Sequence, residues 1–253
     1  MSTPSESEEP DGAQRPTGDR RTRRRARGPQ LTERDAEIIR WMTRHGVVTS
    51  ELVGRRFFWR SALNDYGKWA TYRRVRALRE LGLILTDKPY VDQPAVLRVT
   101  REGARIADVG LRPAPLVLSE LRHSLAVVWL TEYLLAENAG AELTTERELR
   151  ARRYRELRDG TRGAEEGRAP DALLRIPSEG PGAEGIKTVA LELDLSRKDR
   201  RASERMIRQY DYENDVDEVW WYVLPGRVER TRALVSDLNA EDRFEVRQWR
   251  GPT

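Results

Sequence analysis

The sequence predicts a mixed α/β (α+β) chain: a helical N-terminal domain with a small β-ribbon, then a domain running helix, three strands, helix, strand. Three observations carry this. Helical hydrophobic spacing recurs up to Leu81, Pro113-Ala114-Pro115 breaks the chain, and short apolar strands follow, two of which carry Asp171, Glu192 and Asp194.

Length and composition set the bounds. At 253 residues the chain can fold two small domains. A charged fraction of 35% and a mean hydropathy of -0.75 imply a very polar surface or disordered segments beside the folded part. Of the 46 basic residues only Lys68, Lys88, Lys187 and Lys198 are lysine, which leaves 42 arginines. A GC-rich coding sequence is the plainer source of that bias; phosphate binding by guanidinium forks is the other. With no cysteine, disulfides and thiolate metal sites are excluded. No run approaches the length of a membrane span and the N-terminus lacks an apolar signal core, so no membrane partner and a cytoplasmic location are expected.

Residues 1–29 hold Ser, Pro, Gly, Glu and Arg without apolar periodicity, and are expected to be a disordered arm. Its later part, with Arg20, Arg21, Arg23, Arg24, Arg25 and Arg27, suits contact with a phosphate backbone, or is simply a solvated tail. Residues 30–112 form the first domain. Thr32 and Asp35 mark a helix start before Ile38, Ile39 and Met42, giving a helix over 33–45 ended near Gly46. Thr49 or Ser50 caps a short helix to Phe58. The third helix, 68–81, ends at Gly82, and its phase puts Tyr72, Val75, Leu78 and Leu81 on one side. Trp69, Arg73, Arg76 and Glu80 fall on the other, with Arg74 and Arg79 on the flanks. Two strands, 83–85 and 96–99, form a wing around Lys88 to Pro94, and a helix restarts at Thr100. Tightly joined helices followed by a wing resemble a winged helix-turn-helix domain. Lys68, Trp69, Arg73, Arg74, Arg76 and Arg79 are then the expected contacts to double-stranded DNA, with Arg23, Arg24 and Arg25 in support. Solvation of a helix, or docking of a protein, is the competing use of that face.

Residues 116–253 form the second domain. A long helix over 119–137 carries Leu121, Leu125, Val128, Trp129 and Leu135 on its apolar side. A strand over 141–145 precedes an Arg- and Gly-rich loop reaching Ala169, then strands at 171–176 and 188–195. A basic helix over 199–214, the apolar strand 219–224, a helix near 228–238 and a strand at 244–249 complete the chain. Glu192 and Asp194 share a strand face, and Asp171 joins them if its strand pairs alongside. Converging carboxylates suit magnesium or manganese. The αβββαβ order with Pro170-Asp171 and Glu192-Leu193-Asp194 resembles the restriction-endonuclease-like core, whose pattern is Pro-Asp then Glu-x-Lys. Asp194 stands where that pattern has lysine, and a carboxylate cannot supply positive charge to a phosphate undergoing attack. Arg197 and Lys198 lie just beyond the strand, and one of them would have to reach back into the site. Asp171, Glu192 and Lys198 are thus the candidate catalytic set, and Asp171, Glu192 and Asp194 the candidate metal ligands. No cofactor is expected unless that site is active, in which case magnesium would serve. His45 and His123 have no metal-ligand spacing, and His123 reads as a hydrogen-bonded packing residue. Trp220, Trp221 and Tyr222 read as core or interface rather than a base-stacking platform.

Across 31–238, the phrases Thr32-Glu33-Arg34-Asp35, Arg122-His123-Ser124-Leu125-Ala126-Val127, Thr145-Glu146-Arg147-Glu148-Leu149-Arg150 and Arg168-Ala169-Pro170-Asp171-Ala172 resemble the replication-relaxation family. That resemblance implies a winged-helix half, a nuclease-like half, and a DNA-binding accessory or regulatory role in replication or transfer of plasmids and integrative elements. It also implies Glu-x-Asp as a family trait, and hence a nuclease fold without nuclease activity. Replication or transfer proteins and a second copy of the chain are the further partners it admits. A metal-dependent nicking endonuclease is the alternative.

Overall fold

Thr32 starts the first helix by a reciprocal cap. Its backbone N–H donates to Asp35 Oδ2 at 2.6 Å, and the Asp35 N–H donates to Thr32 Oγ1 at 3.3 Å. Helix α1 (Glu33–His45) buries Ile38, Ile39 and Met42 and stops at Gly46, whose φ of 85° suits a residue without Cβ. In this computed structural model residues 30–58, 65–160, 168–177, 185–196, 199–210 and 215–251 are described. Strand β1 (Val48–Thr49) follows, then α2 (Ser50–Phe57), capped by Thr49 Oγ1, and α3 (Asp65–Glu80). Strands β2 (Ile84–Asp87) and β3 (Val96–Val99) pair antiparallel, and β1 adds to β3, giving the order β1-β3-β2. Helix α4 (Arg101–Ala107) then packs along α1. Its Gly103 lies under Leu83, whose carbonyl oxygen is 2.2 Å from where a Cβ would stand.

The second half is a five-stranded mixed sheet with helices on both faces. Helix α5 (Leu118–Glu137) leads to β4 (Glu142–Thr145), α6 (Glu146–Arg158), β5 (Ala172–Pro177) and β6 (Ile186–Asp194). Next come α7 (Arg200–Tyr210), β7 (Glu218–Val223), α8 (Val228–Asp237) and β8 (Phe244–Gln248). The strand order is β4-β5-β6-β7-β8: the first three are antiparallel, and β7 and β8 are each parallel to the preceding strand. Parallel neighbours need a crossover, which α7 and α8 supply. One sheet face sets Leu191, Leu193 and Leu174 against Leu130 and Leu134 of α5. The other sets Ala190, Trp221 and Val223 against Met206, Ile207 and Tyr210 of α7 and Val228, Leu234 and Val235 of α8.

Helix α5 serves both halves. Val128 packs into the core formed by Ile38, Met42, Leu52, Leu78 and Leu97, while Leu130 and Leu134 pack on the sheet. Each such side chain removed from water contributes roughly 1.5–3 kcal/mol, so the two halves share a hydrophobic helix. Residues Leu31–Thr253 accordingly form one compact unit.

The chain is mixed α/β as expected, and the structure corrects several details. Residues 146–158 are helix α6, not loop: Thr145 and Glu148 form a capping box, and the Thr145 hydroxyl also bonds the Arg44 carbonyl. In α3 the buried strip runs through Thr71 and Leu78, whereas Tyr72 is exposed. A threonine is tolerated inside because its hydroxyl donates to the Gly67 carbonyl at 2.7 Å.

Candidate functional site

The acidic cluster is built where β5 begins beside the middle of β6. Ala172 pairs with Leu191, and the Asp171 N–H donates to the Leu191 carbonyl at 3.0 Å, so Asp171 lies beside Glu192. Both carboxylates are buried. Asp171 Oδ2 accepts from the Leu193 N–H at 2.8 Å, and Oδ1 faces His123 Nε2 and Arg168 Nη2, each at 3.1 Å. Glu192 Oε1 accepts from the Tyr210 hydroxyl at 2.8 Å, and its Oε2 is 3.9 Å from the same Arg168 Nη2. The N-terminus of α6 completes the cluster: the Glu146 N–H donates to the Asp171 carbonyl at 3.3 Å. A cleft of about 190 Å³ opens here, bounded by residues 44–47, the segment around Ala114 and Pro115, α5 and the start of α6.

Electrostatics follow from that packing. Burial pushes the Asp171 carboxyl up, but the His123 hydrogen bond and charge, the Leu193 N–H and Arg168 outweigh it and leave it below its usual range. Asp171 in turn raises the His123 imidazole against the effect of burial. Burial raises the Glu146 carboxyl; Arg150 pulls it back, and the Asp171 charge adds to the rise. Burial disfavours the Arg168 cation, yet Glu192, Asp171 and Glu146 together make it harder to deprotonate.

Asp194 does not join the cluster. Its Oδ1 accepts from the Ser196 N–H at 3.1 Å and pairs with Arg227 at 3.4 Å. Lys198 lies outside the described residues, as do Arg23, Arg24 and Arg25. The donors present do not fit a divalent cation. Magnesium needs several oxygens close to an octahedral arrangement at about 2.0–2.1 Å, whereas oxygens of Asp171 and Glu192 already accept from Leu193, Tyr210, His123 and Arg168. Among the described residues no three His, Cys, Asp or Glu side chains are grouped to hold a metal. Sequence reasoning did not place Arg168, His123, Glu146 or Tyr210 here. Arg168 was legible in principle, since it stands three residues before Asp171 in the same short phrase.

A second surface lies on α3. Lys68, Trp69, Tyr72, Arg73, Arg76 and Arg79 are exposed, with Trp69 at 75% and Tyr72 at 59%. Arg76 bonds Glu80 along the helix at 2.8 Å. Arg74 does not belong to this face: its guanidinium turns inward and forks onto both oxygens of the buried Asp35. Trp220, Trp221 and Tyr222 lie in the sheet core, with Arg247 stacked 3.5 Å above the Trp220 ring.

No family model matches the chain, and no curated protein or solved structure matches it. Among the described residues no helix is long and apolar enough to cross a membrane.

Proposed function

We infer that the protein belongs to the class of winged-helix DNA-binding proteins that carry a nuclease-like second half. Within that class it acts as an accessory or regulatory factor of a mobile genetic element, in line with its resemblance to the replication-relaxation family. The observation that carries this reading is the outward face of α3. Lys68, Arg73, Arg76 and Arg79 are absent from the core and stand beside two exposed aromatic rings. Guanidinium groups serve phosphates and guanine edges, and exposed rings contact sugars, thymine methyls or bases. The neighbouring antiparallel β2–β3 pair and the helix α2 before α3 support the reading, as the candidate wing and supporting helix.

The test is duplex binding measured by fluorescence anisotropy. Arg73→Ala with Arg76→Ala is expected to weaken binding substantially, at ~1–3 kcal/mol for each side chain that reads a base edge. Unchanged affinity would remove the reading.

One observation favours a second reading, a magnesium- or manganese-dependent nicking endonuclease using Asp171, Glu192 and Lys198: the two carboxylates do stand side by side on paired strands. Against it, Asp171 and Glu192 are engaged by protein donors and Asp194 is turned to Arg227. Supercoiled plasmid that is nicked by wild type with either cation, and left intact by Asp171→Ala and by Glu192→Ala, would reverse that judgement.

A further inference from the structure

We propose that Arg168 is the resident cation of the acidic cluster, its guanidinium taking the place between Asp171 and Glu192 that a metal ion would need. The cluster then works as an electrostatic joint between elements on both faces of the sheet. This goes beyond DNA binding and does not depend on it.

The geometry assigns each charge a partner. One guanidinium nitrogen lies 3.1 Å from Asp171 Oδ1 and 3.9 Å from Glu192 Oε2, so a single cation faces both strands. Asp171 and Glu192 are buried to within 3% and 2% exposure, and carboxylates that deep require compensation. Arg168, 46% exposed at its side chain, reaches them from the rim while its remaining donors stay near water. Its position is set by more than charge. The Arg168 carbonyl accepts from Gln209 Nε2 of α7 at 2.5 Å, and the following Ala169 and Pro170 are buried. His123 of α5 and Tyr210 of α7 then hold the same two carboxylates from opposite faces of the sheet.

A divalent ion would have to displace this arrangement. It would meet the Arg168 guanidinium and the His123 ring nitrogen at hydrogen-bond distance from the oxygens it needs, and two cations as close as the ion and Arg168 repel one another. Asp194, which would be the third ligand of a metal site, is committed to Ser196 and Arg227. Removing the guanidinium reverses the balance: Glu192 loses the cation that faces its Oε2 and Asp171 keeps only His123 beside its Oδ1, while the nearby Glu146 stays paired with Arg150.

Manganese titration of the full chain near pH 7.5, with free ion followed by electron paramagnetic resonance, tests this. Wild type is expected to take up no Mn(II) in an Asp171-dependent manner. Arg168→Ala should gain a one-to-one Mn(II) site and lose it again in Arg168→Ala with Asp171→Asn; its melting temperature should be lowered and then restored by Mn(II). Two results overturn the proposal: wild type binding one Mn(II) that Asp171→Asn abolishes, or a folded Arg168→Ala protein that gains no site. The wild-type titration decides even where Arg168→Ala does not fold. DNA binding is read separately on wild type, so its loss or retention leaves this outcome unaffected.

Discussion

Removing the Arg74 guanidinium would strand the Asp35 carboxylate, which has no exposure and, among the described residues, otherwise keeps the Thr32 backbone and hydroxyl donors. Arg74→Ala is therefore expected to cost ~3–5 kcal/mol in urea unfolding, the range for breaking a buried pair by removing one partner. Arg73→Ala, one residue away on the exposed face, should change stability by less than about 0.5 kcal/mol. Equal effects would mean that the inward turn of Arg74 is wrong. His45 gives a pH signature. Burial, with Arg44, Arg56 and Arg147 adding to it, lowers its imidazole to about 3. Its 3.8 Å approach to Glu132 is thus not an ion pair at neutral pH; the Glu132 carboxylate accepts instead from Trp41 Nε1 at 2.7 Å. Below 6.5 the unfolded chain takes up the proton and the folded one does not, so stability falls as pH drops through this window, by up to ~1.4 kcal/mol per pH unit. His123 has the opposite sign. Its raised value adds stability below the unfolded pKa and loses it as pH rises through the folded one. Denaturant curves between pH 7 and 4 should therefore show a slope that His45→Gln reduces; a slope unchanged by that substitution would count against a neutral buried His45.

At the scale of elements, α6 and α4 carry the sharpest predictions. The Thr145 hydroxyl accepts from the Glu148 N–H and donates to the Arg44 carbonyl at 3.0 Å. Thr145→Ala should cost ~1–2 kcal/mol, the upper part of the N-cap range, and circular dichroism should show reduced helix. Gly103→Ala would press a methyl onto the Leu83 carbonyl, a backbone atom that cannot swing aside. Overpacking of that kind typically costs ~1–3 kcal/mol, despite the gain in helix propensity. The same two elements show what a sequence reveals. Helices α1, α5 and α7 and strands β5 to β8 are legible because each buries a regular apolar strip. Helix α6 is not, because Leu149 is its one fully buried residue and its arginines mimic a loop; the spacing of Thr145 and Glu148 is the one local signal of its start. Tyr72 and Thr71 exchange places for a related reason: apolar spacing ranks tyrosine above threonine, and cannot see the hydroxyl of Thr71 satisfied by Gly67. In the acidic cluster, strand alternation locates Asp171 and Glu192. It cannot reveal Arg168, His123 or Tyr210, which arrive from a loop and two helices.

For the whole molecule, a net charge of +4 understates how unevenly the basic residues are spread. Six arginines crowd into positions 20–27, while α3 presents Arg73, Arg76 and Arg79 on a folded face. If the 20–27 stretch of the sequence and the α3 face both meet one duplex, they contribute differently. An arm of closely spaced guanidinium groups adds affinity through counterion release, which is blind to sequence. A helix fixed by Leu78, Thr71 and the Arg74–Asp35 pair holds its outward side chains at set angles, which base-edge reading requires. Deleting residues 1–29 should therefore flatten the plot of log affinity against log salt by roughly 0.9 for each phosphate that the arm neutralises, with the footprint on the preferred site unchanged. Arg73→Ala with Arg76→Ala should also narrow the ratio between preferred and random duplex. An arm deletion that erases site preference, or an α3 variant that changes only the salt slope, would mean that the roles are exchanged and that α3 serves as a phosphate clamp.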